Sequence, residues 1–146
     1  MTANLSSMAG TTLTLLADPA GPVHEQVAAE ALGHGRFRLL SSPGLVLGVA
    51  AGDIVAIRDD GSPELVQASG NIAVQVFGDD ATCDAVALLL RPLGGWLDGR
   101  IPDTMSVFTI PPSADLDRLE DLLWAVVDRH PDTEWLYGNL FEETGS

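Results

Sequence analysis

The run Ile72-Ala73-Val74-Gln75-Val76-Phe77 stands where two kinds of sequence meet. Before it, short apolar runs are cut by clusters of Gly, Pro, Asp and Asn, the pattern of strands and tight turns. After it come two segments of helical periodicity, each flanked by strand-like runs. From residue 72 the order is strand, helix, strand, strand, helix, strand. That order predicts the split β-α-β arrangement of ferredoxin-like domains, with both helices on one face of an antiparallel sheet.

Local signals support each of these elements. Gly78-Asp79-Asp80 offers a helix N-cap, and Asp84 adds negative charge near the first turn. The helix runs to about Arg91 and is ended by Pro92 and Gly94-Gly95. Trp96 to Ile101 reads as a weak strand reversed at Pro102-Asp103, and Met105 to Ile110 as a stronger one. Pro111-Pro112-Ser113 stops that strand, with Ser113 as the expected cap of the clearest helix in the chain. Leu116, Leu119, Leu122, Leu123, Val126 and Val127 form its apolar stripe, and Asp117, Asp121 and Asp128 its outward face. Asp115 and Asp117 sit at its positive end and Arg129-His130 at its negative end; Pro131 forbids continuation. Glu134 to Asn139 is the last strand.

The first half reads as β-structure. Residues 1–10 form a loose tail. Leu13 to Leu16 is strand-like and is closed by the turn cluster Asp18-Pro19-Ala20-Gly21-Pro22. His24 to Leu32 is open between helix and strand, because its apolar residues satisfy both periods. Gly33-His34-Gly35 before Arg36 to Leu40 favours a hairpin. Asp53 to Arg58 and Glu64 to Ala68 are strands joined through Asp60-Gly61. Ser69-Gly70-Asn71 is expected to mark a bulge or bend, so that one long bent strand serves both halves. The fold class is therefore α+β: a tail (1–10), a β-strand-rich module with a small, partly closed sheet (11–71), and a ferredoxin-like module (72–146) packed against it.

The succession Gly52-Asp53-Ile54-Val55, Asp60-Gly61 and Ser69-Gly70-Asn71 resembles an uncharacterised bacterial group, the domain-of-unknown-function family 4265, over residues from about 24 to 140. The resemblance implies strand over 24–32. It implies no activity and names no catalytic residue. Taken alone, the same motifs are turn chemistry: Gly and Asp at reversals, Ser and Asn bonded to local backbone.

Charge narrows the function. Seven arginines and no lysine stand against 21 carboxylates, a net charge of −14. Residues 1–78 carry −4 (three arginines, seven acids) and residues 79–146 carry −10 (four arginines, fourteen acids). Such a field repels phosphate backbones and anionic lipid, which excludes nucleic acid and membrane as partners, and it favours fast association with a basic protein. The longest apolar run, Ala85 to Leu90, is too short to span a bilayer. The single Cys83 and an N-terminus without a basic, apolar leader give the expectation of a cytoplasmic protein.

No catalytic constellation is visible. His24, His34 and His130 are far apart in sequence, Cys83 is alone, and no spacing places two metal ligands on one helical face. There is no nucleophile elbow and no phosphate loop. The expectation is a non-enzyme without cofactor or metal. It would be an acidic interaction protein, of the kind that serves as an immunity protein by covering a basic bacterial toxin. The alternative is a regulatory or small-ligand module acting as a homo-oligomer, a homodimer in the simplest case. The candidate surface covers residues 114–128 and 132–143, led by Asp117, Asp121, Asp128, Asp132, Glu134, Trp135 and Tyr137. Trp135 and Tyr137 alternate with Leu136 and so share one face of the last strand, where rings make good interface anchors.

Overall fold

Among the described residues, the glycine, proline and aspartate clusters separate nine strands and two α-helices. The computed structural model describes residues 10–18 and 23–140. The expected tail, save Gly10, and most of the Asp18–Pro22 turn cluster lie outside the described residues, as do residues 141–146. The chain is α+β, with two antiparallel sheets.

The first sheet is a meander of β1 (Thr11–Asp18), β2 (Val23–Gly33), β3 (Arg36–Leu39), β4 (Ile54–Ile57) and β5 (Pro63–Gln67), each antiparallel to the next. The segment 24–32, open on periodicity, is strand. Val27 and Ala29 are buried while Gln26 and Ala28 are exposed, and pairing with β1 and β3 satisfies the backbone on both edges. Val27 and Ala29 join Leu15, Leu39 and Val55 in one apolar core. Gly33, His34 and Gly35 all take positive φ in the β2–β3 hairpin.

The second sheet is built from β6 (Ile72–Phe77), β7 (Trp96–Ile101), β8 (Met105–Ile110) and β9 (Glu134–Tyr137), in the order β7-β8-β6-β9. Helix α1 (Asp80–Leu90), followed by a 3-10 turn (Arg91–Leu93), connects β6 to β7, and α2 (Leu116–Arg129) connects β8 to β9. Both helices cover one face: Ile72, Val74, Val76, Phe108 and Ile110 meet Cys83, Val86, Leu90, Leu119, Leu123 and Val126 in a second core. Each fully buried Leu or Phe contributes about 2 kcal/mol, against about 1 kcal/mol for a helix cap, so burial fixes where α2 lies and the cap only where it starts. That start is Asp115, not Ser113. Ala114 N–H closes a turn on Pro111 O, and the Asp115 carboxylate accepts the amides of Asp117 and Arg118. In α1 the cap falls on Asp79, which accepts the amide and hydroxyl of Thr82 at 2.9 and 2.8 Å. Those two bonds hold its carboxyl below the usual carboxylate range.

The second face of this sheet is covered by the segment 40–53, which is why β6 and β8 are buried along almost their whole length. Gln75 Nε2 donates to Gly44 O at 2.9 Å, and the Glu25 carboxylate accepts the amides of Gly44, Leu45 and Val46 at 2.7, 2.8 and 3.0 Å. A buried relay adds a third tie. Ala51 N–H donates to Ser42 Oγ, Ser42 hydroxyl bonds Thr109 Oγ1 at 2.6 Å, and Thr109 donates to Asp98 Oδ2 at 2.5 Å.

The expectation of one long bent strand through Ser69-Gly70-Asn71 is corrected. Strands β5 and β6 belong to different sheets, and Gly70 between them takes a φ of +93°. The physical cause is Asp53. Its carboxylate takes the Ser69 amide and hydroxyl, Ser69 Oγ takes the Asn71 amide, and Asn71 Nδ2 donates to Ala51 O. Backbone donors that would continue a strand ladder are used by side chains instead.

Candidate interaction site

Helix α2 turns Leu119, Leu123 and Val126 into the core, so the residues half a turn away face outward. Asp117, Asp121 and Asp128 are all exposed there, and among the described residues none of their carboxylates is in an ion pair. Arg100 pairs instead with Asp80 and Asp84, at 3.5 and 2.7 Å, at the start of α1. The acids at the start of α1 thus have a cation beside them, and those on the outward face of α2 are in no ion pair among the described residues.

Strand β9 is the outer strand of its sheet among the described residues, paired with β6 alone. Alternation sends Trp135 and Tyr137 to the helix side and Glu134 and Leu136 to the other. Trp135 meets Trp124 of α2 edge to face, with ring centroids 5.5 Å apart at 68°, and meets Tyr137 at 5.3 Å and 85°. Tyr137 O–H donates to Glu120 Oε2 at 2.7 Å. These four residues line an open groove of about 550 Å³ at the α2–β9 seam, together with Leu47, Leu140 and Leu136, which reaches it from the other face of the outer strand β9.

The expected site residues divide accordingly. Trp135 and Tyr137 come together in the groove, and Asp117, Asp121 and Asp128 form a stripe on the helix beside it. Glu134 is exposed but on the opposite side of β9 from the rings, and Asp132 lies in the α2–β9 turn, in a separate hollow with Arg129 and His130. Asp132 thus shares its hollow with Arg129 and stands apart from the acidic stripe. Two residues of the site, Trp124 and Glu120, fall within the expected surface 114–128 but are not among the residues expected to lead it. Trp124 is 57% exposed. Helical spacing puts Glu120, Asp121 and Asp128 at i−4, i−3 and i+4 from it, three of its four nearest positions on the helix surface, the fourth being Val127. That spacing was a readable signal.

The sites excluded from sequence can be placed as well. Cys83 lies on the core-facing side of α1, His24 is on β2, His34 in the β2–β3 hairpin and His130 at the end of α2. Among the described residues no group of three or more His, Cys, Asp and Glu side chains could hold a metal ion. Among the same residues no helix is long and apolar enough to cross a membrane. The Asp98 carboxyl is pushed upward from its ordinary value. Burial raises it, and the bonds from Thr109, Trp96 and the Ser42 amide oppose the rise.

Fold and site together define an α+β protein that carries an acidic helix face beside an aromatic seam. The chain belongs to the family described as a domain of unknown function, DUF4265, whose model matches residues 25–133. No curated protein matches the chain. Among solved structures it is similar to one titled "Novel crystal structure of a hypothetical protein from Neisseria gonorrhoeae", with a TM-score of 0.67 and 19% identity. The match covers 92% of this chain and 97% of that one, and it is a likeness of fold.

Proposed function

We propose that the chain is a non-enzymatic interaction protein that docks a basic protein partner through α2 and the α2–β9 seam. An immunity protein against a basic bacterial toxin is the concrete form of that role. The observation that carries the reading is the position of Trp124, a largely exposed indole with carboxylates at three of its four nearest helical positions. An unpaired acidic stripe supplies steering, and rings at the centre of a contact supply residence time. The finer reading of the fold accompanies it. The order β7-β8-β6-β9 with both helices on one face fits a ferredoxin-like half. The bond from Leu16 N–H to Gly61 O, which links β1 to the β4–β5 turn at 2.9 Å, supports a partly closed first sheet.

The experiment is affinity capture from native cell extract at low and high salt, with the wild type and the triple variant D117N/D121N/D128N. The expected result is a basic protein retained by the wild type at low salt, and lost both at high salt and with the triple variant. A partner that ignores salt and substitution alike contradicts the reading. The homo-oligomeric alternative draws on the outer edge of β7, where Trp96, Leu97 and Ile101 are exposed. Sedimentation tests it: a dimer converted to monomer by Ile101→Glu supports that alternative, and a monomeric wild type removes it.

A further inference from the structure

We infer that the α2–β9 groove is an arginine seat, in which a guanidinium from the partner stacks on Trp124 and is bonded by Glu120. The inference rests on the reading of this face as a docking surface and names the chemistry that the face selects. Three observations carry it. The first is the ring arrangement: Trp124, Trp135 and Tyr137 are packed edge to face in a row, leaving the Trp124 indole 57% exposed at the outer end of that row. An exposed indole face attracts a cation through its quadrupole, and a planar guanidinium can stack on it.

The second is the set of the Glu120 carboxylate. Tyr137 O–H holds its Oε2 at 2.7 Å, and Oε1 has no partner among the described residues. Half-buried and fixed by that bond, the carboxylate is a pre-oriented acceptor one helical turn from Trp124. The third is charge. Asp121 and Asp128 flank Trp124 on its other sides, so a cation reaching the ring passes through negative potential from every neighbouring turn. Leu136 and Leu140 line the same groove with apolar surface suited to an arginine stem. A lysine ammonium would gain the charge attraction and the bond to Glu120 Oε1 but not the planar stack, so the groove discriminates between the two cations.

The test is calorimetric titration of the full chain with tetra-arginine amide and, separately, tetra-lysine amide. Wild type, Trp124→Ala, Trp124→Phe, Glu120→Gln and D117N/D121N/D128N are compared, each with a thermal melt to confirm folding. The expected result is tighter binding of the arginine peptide by about five- to tenfold. That preference is abolished by Trp124→Ala and reduced by Glu120→Gln, and it is retained by Trp124→Phe. Equal binding of the two peptides by the wild type overturns the inference, as does a preference that survives both Trp124→Ala and Glu120→Gln. The wider reading fails differently: neither peptide then weakens on going to D117N/D121N/D128N. If both peptides weaken in that variant while no arginine preference exists, the acidic docking face stands and the arginine seat falls.

Discussion

Asp53 and Ser69 are joined by two hydrogen bonds where the chain leaves β5 of the first sheet for β6 of the second. The Ser69 amide and hydroxyl both donate to Asp53 Oδ1, at 2.8 and 2.9 Å, while Asp53 Oδ2 accepts the Ala50 amide at 2.9 Å. Asp53 is 2% exposed, so its charge is held by these donors and not by water. Replacing it with alanine strands amides that solvent reaches poorly. Asp53→Ala is expected to cost about 3 kcal/mol and Ser69→Ala about 1 to 2 kcal/mol. In a double-mutant cycle by urea unfolding the pair should couple by about 1 kcal/mol or more. Additive losses would show that the two residues act independently.

Gly52 provides a second test of the same junction. Its φ is +86°, and a Cβ built on it would lie 2.9 Å from Ser69 Cβ. Gly48 shares the left-handed conformation, at +92°, but a Cβ there meets nothing within 4 Å. Gly48→Ala should therefore show only the conformational cost of about 1 kcal/mol. Gly52→Ala should lose at least about 1 kcal/mol more, because the Asp53–Ser69 contact must shift. Equal losses in urea midpoints would mean that Ser69 moves aside freely.

Asp98 makes stability depend on pH in a defined direction. Burial raises its carboxyl above the ordinary value, so the folded chain holds the proton at pH values where the unfolded chain has released it. That contribution to stability is complete below the unfolded value of 3.8 and is lost as pH rises through the folded one. Asp98→Asn does not titrate. The stability of the wild type relative to Asp98→Asn should thus fall as pH is raised from about 4 to 7. Urea midpoints of both proteins across that range measure it, and a constant or rising difference contradicts the assignment.

Most of the second half was legible because its elements are bounded by residues with a single local meaning. Pro92, Gly94 and Pro131 end helices, Asp103 turns a hairpin, and β7 and β8 fall on the segments expected for them. The helix cap was misplaced because Ser113 and Asp115 are both good caps, and only the Pro111–Ala114 turn selects between them. Local sequence at 69–71 shows only a bend because the acceptor that divides the strands, Asp53, is sixteen residues away in sequence. The segment 40–53 has no period of its own. Its course is set by Glu25, Gln75 and Thr109 through hydrogen bonds that no local pattern announces. The acidic stripe was readable from helical spacing, whereas the Trp124–Trp135 contact depends on how β9 docks beside α2.

The account as a whole is tested most directly by the rate at which the captured basic partner associates with the chain, measured by stopped flow over a range of ionic strength. Steering by the α2 face predicts that the wild-type rate falls by about tenfold or more as salt rises. It also predicts that D117N/D121N/D128N is already slow at low salt, with little change in dissociation. An association rate that is flat in salt, or equal in the two proteins, would contradict it.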